Sequence, residues 1–123
     1  MRECQIKHEA REGVDVLHLD GALDAYSFPR LESALTHLRE SGRHCMVLDC
    51  SNLDYVNSAA LGALIGFARR ARESGGDLKL ASLTPKIYSI VELLGFDKIL
   101  QIFPDTPLAS SKFCPCGTCV PPM

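Results

Sequence analysis

One serine stands where an apolar strand gives way to an amphipathic helix, and its position suits it to accept a charged group. Ser58 lies within DYVNSAALG (54–62), after the run MVLDCSNLDYV and at the start of a segment whose apolar residues recur at i, i+3, i+4 and i+7. This pattern places the Ser58 hydroxyl at or beside a helix N-terminus. Unpaired backbone N–H groups and the positive end of the helix dipole accommodate an oxygen or a phosphate there. The segment therefore predicts either an N-cap serine or a phosphorylation site.

A second chemical feature is the cluster of three thiols in the segment CPCGTC. Cys114, Cys116 and Cys119 can place three soft ligands around one ion, and the Cys-x-x-Cys spacing also lowers thiol pKa values. Zinc, copper(I), a metal cluster and a redox disulfide are all open alternatives, as is an unstructured reactive tail. A structural zinc site usually needs a fourth protein ligand, which Cys4, a histidine or a second chain would have to supply.

The composition fits one domain that is expected neither to bind nucleic acid nor to insert into a membrane. The 123 residues, 46% of them hydrophobic, suffice for a single core. A net charge of -2 provides no basic face for nucleic acid. No apolar run approaches the ~20 residues of a membrane span, and the N-terminal residues lack a signal-peptide core, so we expect a soluble cytoplasmic protein. Cys4, Cys45 and Cys50 lie in strand-like segments and are expected to be reduced core thiols.

The elements that must position Ser58 alternate as in an α/β fold. A hairpin turning at Gly13 is followed by a helix with Pro29 near its start and Gly42 just past its end. The strand HCMVLDC then leads to the Ser58 helix, which is predicted to end near Ser74. The segments DLKLASL, KIYSIVELLG and ILQIF add a strand, a helix and a last strand, so the order β-β-α-β-α-β-α-β predicts a mixed sheet. Residues 1–105 are assigned to this domain, and 106–123, within a proline-rich segment, to a poorly ordered tail.

The chain offers no pattern for catalysis. Its four histidines have neither metal-site nor nucleophile–base spacing and are interpreted as structural or solvated; they are His8, His18, His37 and His44. Paired carboxylates, a Gly-rich phosphate loop and a Ser-His-Asp set are also missing from the sequence pattern. We therefore do not expect an enzyme.

The segment DYVNSAALGAL resembles the helix start of STAS domains of the anti-sigma factor antagonist type. GALDAYSFPRLESAL, the glycine pair before DLKLASL and the ending PKIYSIVELLGFDKILQIF are similar to further elements of that family. The resemblance covers roughly Cys4 to Asp105. It implies a single STAS-like α/β domain with a mixed sheet of four to five strands and helices packed mainly on one face.

The resemblance also implies a partner switch centred on Ser58, which matches the family's phosphorylated serine. The unphosphorylated form would bind an anti-sigma factor that is also a serine kinase, the phosphorylated form would release it, and a phosphatase would reset it. Sigma-factor activity, and so transcription, would be regulated indirectly. The predicted partner-binding residues are Asp24, Asn57, Ser58, Ala59, Ala60 and Leu61.

Three positions depart from the family pattern. Asn57 stands where many members have aspartate, and Ala59 and Ala60 stand where serine and glycine are frequent. The asparagine would either reduce the difference in partner binding between the unphosphorylated and phosphorylated forms or hold the loop through its amide. The alternative function is a constitutive STAS protein-interaction subunit of a transport or stress-sensing assembly, without phosphorylation.

Overall fold

The computed structural model describes residues 4–11 and 13–111, which form a five-stranded mixed sheet and its helices. The strands are β1 Gln5–Arg11, β2 Val14–Leu23, β3 Cys45–Val56, β4 Asp77–Ala81 and β5 Ile102–Phe103. The helices are α1 Phe28–Glu40, α2 Ser58–Glu73, α3 Pro85–Leu93 and α4 Thr106–Ser111, with a 3-10 turn at Phe96–Lys98. The strands lie in chain order, β1 antiparallel to β2 and the others parallel. The predicted α/β class and mixed sheet are confirmed.

Alternation along the strands gives the sheet two different faces. Leu17 and Leu19 of β2 pack in the main core with apolar residues of α1, α2 and α3. Val14 and Val16 point to the other face, where they belong to a smaller cluster that also includes Val47 of β3 and Ala109 of α4. Because each fully buried Leu or Val side chain contributes about 1.5–3 kcal/mol, the larger core dominates stability. The prediction that helices pack mainly on one face is confirmed.

The parallel strands define two ends of the sheet that differ in their connections. The loops after β2, β3 and β4 leave at one end, which we call the carboxyl end, and Ser58 lies there. The loops that enter β3 and β4 lie at the opposite, amino end. In sheets of this kind, functional groups usually lie on the loops at the carboxyl ends of the strands.

The amino end is closely packed and its buried carboxylates are paired. A Cβ at Gly76 would lie 1.9 Å from the His44 carbonyl oxygen, so only glycine allows these two loops to approach. The fully buried Asp15 contacts His8 Nε2 at 2.7 Å and Arg43 Nε at 2.6 Å. These partners offset the cost of removing a charge from water.

The segment after Pro104 begins with a short helix. The Asp105 carboxylate accepts the Leu108 N–H at 2.8 Å, and its carbonyl accepts the Ala109 N–H at 3.2 Å, so Asp105 opens α4. Ala109 is fully buried. The prediction of a poorly ordered tail from residue 106 is therefore wrong for 106–111. Thr106 and Ala109 are buried in this helix, and this pair leaves no periodic apolar signal in the sequence.

The cysteines divide into three groups. Cys4 and Cys50 are buried free thiols, as expected, and burial raises the pKa of both. Cys45 is disulfide-bonded, so the expectation of a reduced thiol is wrong there. The three cysteines predicted as metal ligands, Cys114, Cys116 and Cys119, lie outside the described residues, and their role stays a prediction. Within 4–11 and 13–111, no group of three or more His, Cys, Asp or Glu side chains is arranged to hold a metal ion.

Candidate functional site

Asn57, rather than Ser58, caps the helix at the candidate site. The Asn57 side-chain oxygen accepts the Ala60 N–H at 2.8 Å, and its carbonyl accepts the Leu61 N–H at 3.2 Å. Its own N–H donates to the Leu23 carbonyl at 3.2 Å, which ties the helix start to the end of β2. The interpretation of Ser58 as an N-cap is therefore wrong. The Asn57 amide holds the loop, which was one of the two roles left open for it.

Ser58 is the first residue of α2 and its side chain is exposed. Within the described part of the chain, the Ser58 hydroxyl makes no hydrogen bond. Ala59 is exposed beside it, whereas Ala60 and Leu61 are 2% exposed and pack in the main core. Of the predicted partner-binding residues, Ala60 and Leu61 therefore support the surface from below rather than forming it.

The electrostatics at this helix start favour an anion. The sixteen-residue helix has no acidic residue in its first turn, and Arg70 and Arg72 lie in its last turn. The Asn57 cap satisfies the third N–H of the helix, so the N–H groups of Ser58 and Ala59 remain directed toward the surface. A phosphate on Ser58 would meet these donors and the positive end of the helix dipole.

Asp24 holds the neighbouring loop between β2 and α1. Its Oδ1 accepts the Tyr26 N–H at 2.9 Å and the Ser27 N–H at 3.1 Å, and the Ser27 hydroxyl donates to the Ala22 carbonyl at 2.6 Å. The hydrogen bond from the Ser27 backbone, followed by that from Tyr26, holds the pKa of Asp24 below its usual range. The loop adjoins Ser58 because Leu23, the residue before Asp24, accepts the Asn57 N–H.

This fixed loop presents Tyr26, which the sequence analysis missed. The Tyr26 side chain is 95% exposed while its backbone N–H is bound by Asp24. The only sequence signal is an aromatic residue inside a turn segment beside Asp24. A largely exposed tyrosine on a rigid loop is suited to protein contact, because its ring supplies a large contact area at low entropic cost.

A strip of small residues continues from Ser58 along the solvent side of α2; its members are Ala59, Gly62, Ala63 and Gly66. Among the described residues, a Cβ at Gly62 would meet nothing within 4 Å, and one at Gly66 would meet only the end of the Arg70 side chain at 3.8 Å. Glycine inside a helix costs about 1 kcal/mol relative to alanine. The packing of this chain does not require glycine at Gly62, and the strip leaves the helix surface flat.

The histidines lie apart from Ser58 and are engaged by carboxylates in two cases. His18 Nδ1 lies 2.6 Å from Asp49 Oδ2, and its Nε2 lies 2.9 Å from Glu9 Oε1, so the ring links three strands. The hydrogen bond to Glu9, together with that to Asp49, raises the pKa of His18. The structural interpretation of His18 is consistent with these contacts, as is that of His8 beside Asp15.

Comparison with known proteins identifies the family of this chain. A family model of the STAS domain matches residues 5–109, and the chain belongs to that family. It is 32% identical over 93 residues to a putative anti-sigma factor antagonist, BtrV, of Bordetella bronchiseptica. The aligned region covers 76% of this chain and 78% of that relative. The resemblance to STAS domains of the anti-sigma factor antagonist type is thereby confirmed.

Solved structures share the architecture at low sequence identity. A putative anti-sigma factor antagonist of Thermotoga maritima has a TM-score of 0.81 at 18% identity, covering 87% of this chain and 92% of that one. The Bacillus cell fate determinant SpoIIAA in its phosphorylated form has a TM-score of 0.67 at 15% identity, and the match covers 89% of this chain and 97% of that one. A sulfate transporter family protein of Wolinella succinogenes has a TM-score of 0.70 at 19% identity, and the match covers 84% of this chain and 86% of that one. In the described part of this chain, no helix is long and apolar enough to cross a membrane.

Proposed function

We propose that this protein is an anti-sigma factor antagonist in which reversible phosphorylation of Ser58 controls binding to an anti-sigma factor with serine kinase activity. The supporting observation is an exposed serine hydroxyl, without a hydrogen bond among the described residues, on the first residue of a helix capped by its neighbour Asn57. A phosphatase that acts on phosphorylated Ser58 resets the protein. Its role is binding rather than catalysis.

Phosphorylation would change the surface without disturbing the fold. A phosphate adds about -1.5 to -2 charge and three acceptor oxygens. The helix start accommodates that charge, and the cap on Asn57 does not involve the Ser58 side chain. A partner packed against the same surface would instead meet a bulky dianion that it must desolvate. A loss of about 3 kcal/mol already weakens binding more than a hundredfold.

The partner surface combines the loop of Asp24 and Tyr26, the exposed Ser58 and the small-residue strip on α2. Tyr26 offers an apolar anchor, and the strip lets a partner approach the helix backbone closely. Because Asp24 and Asn57 are occupied in holding their loops, they shape this surface more than they contribute free polar groups.

The direct test is a binding and phosphorylation assay with purified anti-sigma factor kinases of the same organism. Calorimetry should show that wild type and Ser58→Ala bind tightly, whereas Ser58→Asp binds about a hundredfold more weakly or worse. Ser33→Asp, which places the same charge on the exposed side of α1, is the matched control and should bind like wild type. With ATP, intact-mass spectrometry should show one added phosphate on wild type and none on Ser58→Ala. Tight binding by Ser58→Asp would contradict the switch.

A second candidate is a constitutive STAS interaction subunit of a transport or stress-sensing assembly. The structural likeness to a sulfate transporter family protein favours it. In that case Ser58 would stay unmodified under growth and stress, and purified transporter or scaffold subunits would bind wild type and Ser58→Asp equally well.

A further inference from the structure

A cavity of about 610 Å³ lies between the edge strand β1 and helix α1, and it shares no residue with the surface around Ser58. Its floor includes Leu17 and Leu38, which are at most 5% exposed, and its walls include Ile6 and Ala34. The volume falls in the range of small-molecule sites, about 300–1,000 Å³, which combine an apolar lining with a few polar groups. An apolar chain or ring would fit against this lining.

The polar rim of the cavity carries nitrogen donors and no carboxylate among the described lining residues. Its polar side chains are Gln5, His8, Arg30, His37, Ser41 and Arg43. Asp15 lies behind this rim, fully buried, with one oxygen on His8 and the other on Arg43. Arg43 contacts Asp15 through Nε, so its terminal nitrogens are left for a second acceptor within the described part of the chain. The rim therefore complements an anion.

The apolar and the basic lining residues lie at different places along β1 and α1. At the middle, Ile6 of β1 and Ala34 of α1 form apolar walls, while His8, His37 and Arg43 gather toward the end of α1. The charge of Asp15 behind Arg43 offsets part of the positive field at that end. A singly charged head group suits this balance better than a dianion, and a planar carboxylate matches the fork of a guanidinium.

We propose that this cavity binds a monocarboxylate with a long apolar chain, of the fatty-acid class. The chain lies along Ile6, Ala34 and Leu38, and the carboxylate contacts Arg43 and His37. The site is separate from the partner switch and does not depend on it. It is a small-molecule binding site on the side of the fold that includes the edge strand β1.

The test compares three probes of equal chain length, each kept below its micellar concentration. Dodecanoate, dodecanol and dodecyltrimethylammonium are titrated into the full chain labelled with nitrogen-15, and amide shifts are followed. We expect saturable binding of dodecanoate with shifts in β1 and α1, binding of dodecanol about tenfold weaker, and no saturable binding of the cation.

Two matched alanine variants localise the effect. Ala34→Trp fills the cavity and should weaken dodecanoate binding at least about tenfold, whereas Ala59→Trp, which adds the same ring to exposed α2, should leave it unchanged. His37→Gln, at an exposed rim position, should weaken dodecanoate more than dodecanol. Amide spectra of each variant confirm that the fold is retained. Equal affinity for the three probes, no saturable binding of dodecanoate, or an unaffected Ala34→Trp would overturn the proposal.

Discussion

The two ends of the parallel strands use their polar side chains differently. At the amino end, the buried carboxylates Asp15 and Asp77 are matched by Arg43 and Arg72, and these pairs hold neighbouring elements together. At the carboxyl end, polar side chains bind the backbone of their own loops and leave Ser58 exposed. A modification at the carboxyl end therefore leaves the charge pairs that hold the opposite end untouched.

Two glycines show the same contrast. Gly76, at the amino end, has the His44 carbonyl where a side chain would lie, so the fold itself requires glycine. Gly62, beside the candidate site, has open space around the same position. One glycine is explained by packing inside the chain, whereas the other is explained by the proposed partner surface.

The largest effect is expected for Gly76→Ala. The added Cβ would force the loops before β3 and β4 apart, which should lower the free energy of unfolding by about 3 kcal/mol. Chemical denaturation measures this loss, and Gly62→Ala is the matched control. Unchanged stability of Gly76→Ala would show that the loops at the amino end can move apart at little cost. Gly76 and Gly62 would then not differ in the way proposed.

Tyr26→Ala should affect binding rather than stability. We expect affinity for the anti-sigma factor to fall by about 2 kcal/mol, roughly thirtyfold, because a large exposed anchor is lost. The free energy of unfolding should change by less than about 0.5 kcal/mol, since the ring is 95% exposed. Leu93→Ala, at the other end of the molecule and 86% exposed, is the control and should bind like wild type. Full affinity of Tyr26→Ala would exclude this loop from the interface.

Gly62→Ala should separate stability from function. Alanine inside α2 should raise the free energy of unfolding by about 1 kcal/mol, because it is the better helix former and its methyl group meets nothing. The same methyl group should weaken partner binding by about 1 kcal/mol, roughly fivefold, if the partner approaches the strip closely. Denaturation and calorimetry on the same preparations measure both quantities. A more stable variant with undiminished affinity would place the strip outside the interface.

The smallest effect concerns pH and His18. Because contact with Glu9 and then Asp49 raises the pKa of His18 in the folded state, its stabilising charge is fully present below the unfolded value of about 6.5. That contribution is lost as pH rises through the higher folded pKa. His18 is 35% exposed, so solvent screening keeps the contribution below about 1 kcal/mol.

The pH prediction is measured as the difference in unfolding free energy between wild type and His18→Gln. This difference should favour wild type at about pH 6 and shrink toward about pH 9. His37→Gln, an exposed histidine of α1, is the matched comparison. A difference that stays constant over this range would show that the ring acts through packing or neutral hydrogen bonds.

Local patterns in the sequence were sufficient to predict the fold and the position of Ser58. The apolar spacing after Ser58 predicts α2, and Leu61 already belongs to that apolar stripe, which is why it is buried. The cap could not be assigned in the same way, because Asn57 and Ser58 are both good capping residues and differ by one position. Geometry alone decides that Asn57 accepts the Ala60 N–H.

Contacts between distant segments were beyond the reach of local patterns. His18 meets Asp49 at a separation of 31 residues and Glu9 at 9 residues, so their meeting depends on the pairing of β1, β2 and β3. The cavity between β1 and α1 arises in the same way, from two elements that only the folded sheet brings together. The sequence contains these residues but not their register.

The separation of the cap from the proposed phosphorylation site has a genetic consequence. Because Asn57 closes the helix, replacing Ser58 by alanine should leave the amount of folded protein in the cell unchanged. Under the proposed function, such an allele would encode an antagonist that kinase activity cannot switch off. It would behave as a dominant gain-of-function mutation, whereas alleles that damage the cap at Asn57 would lower protein abundance and behave as partial losses.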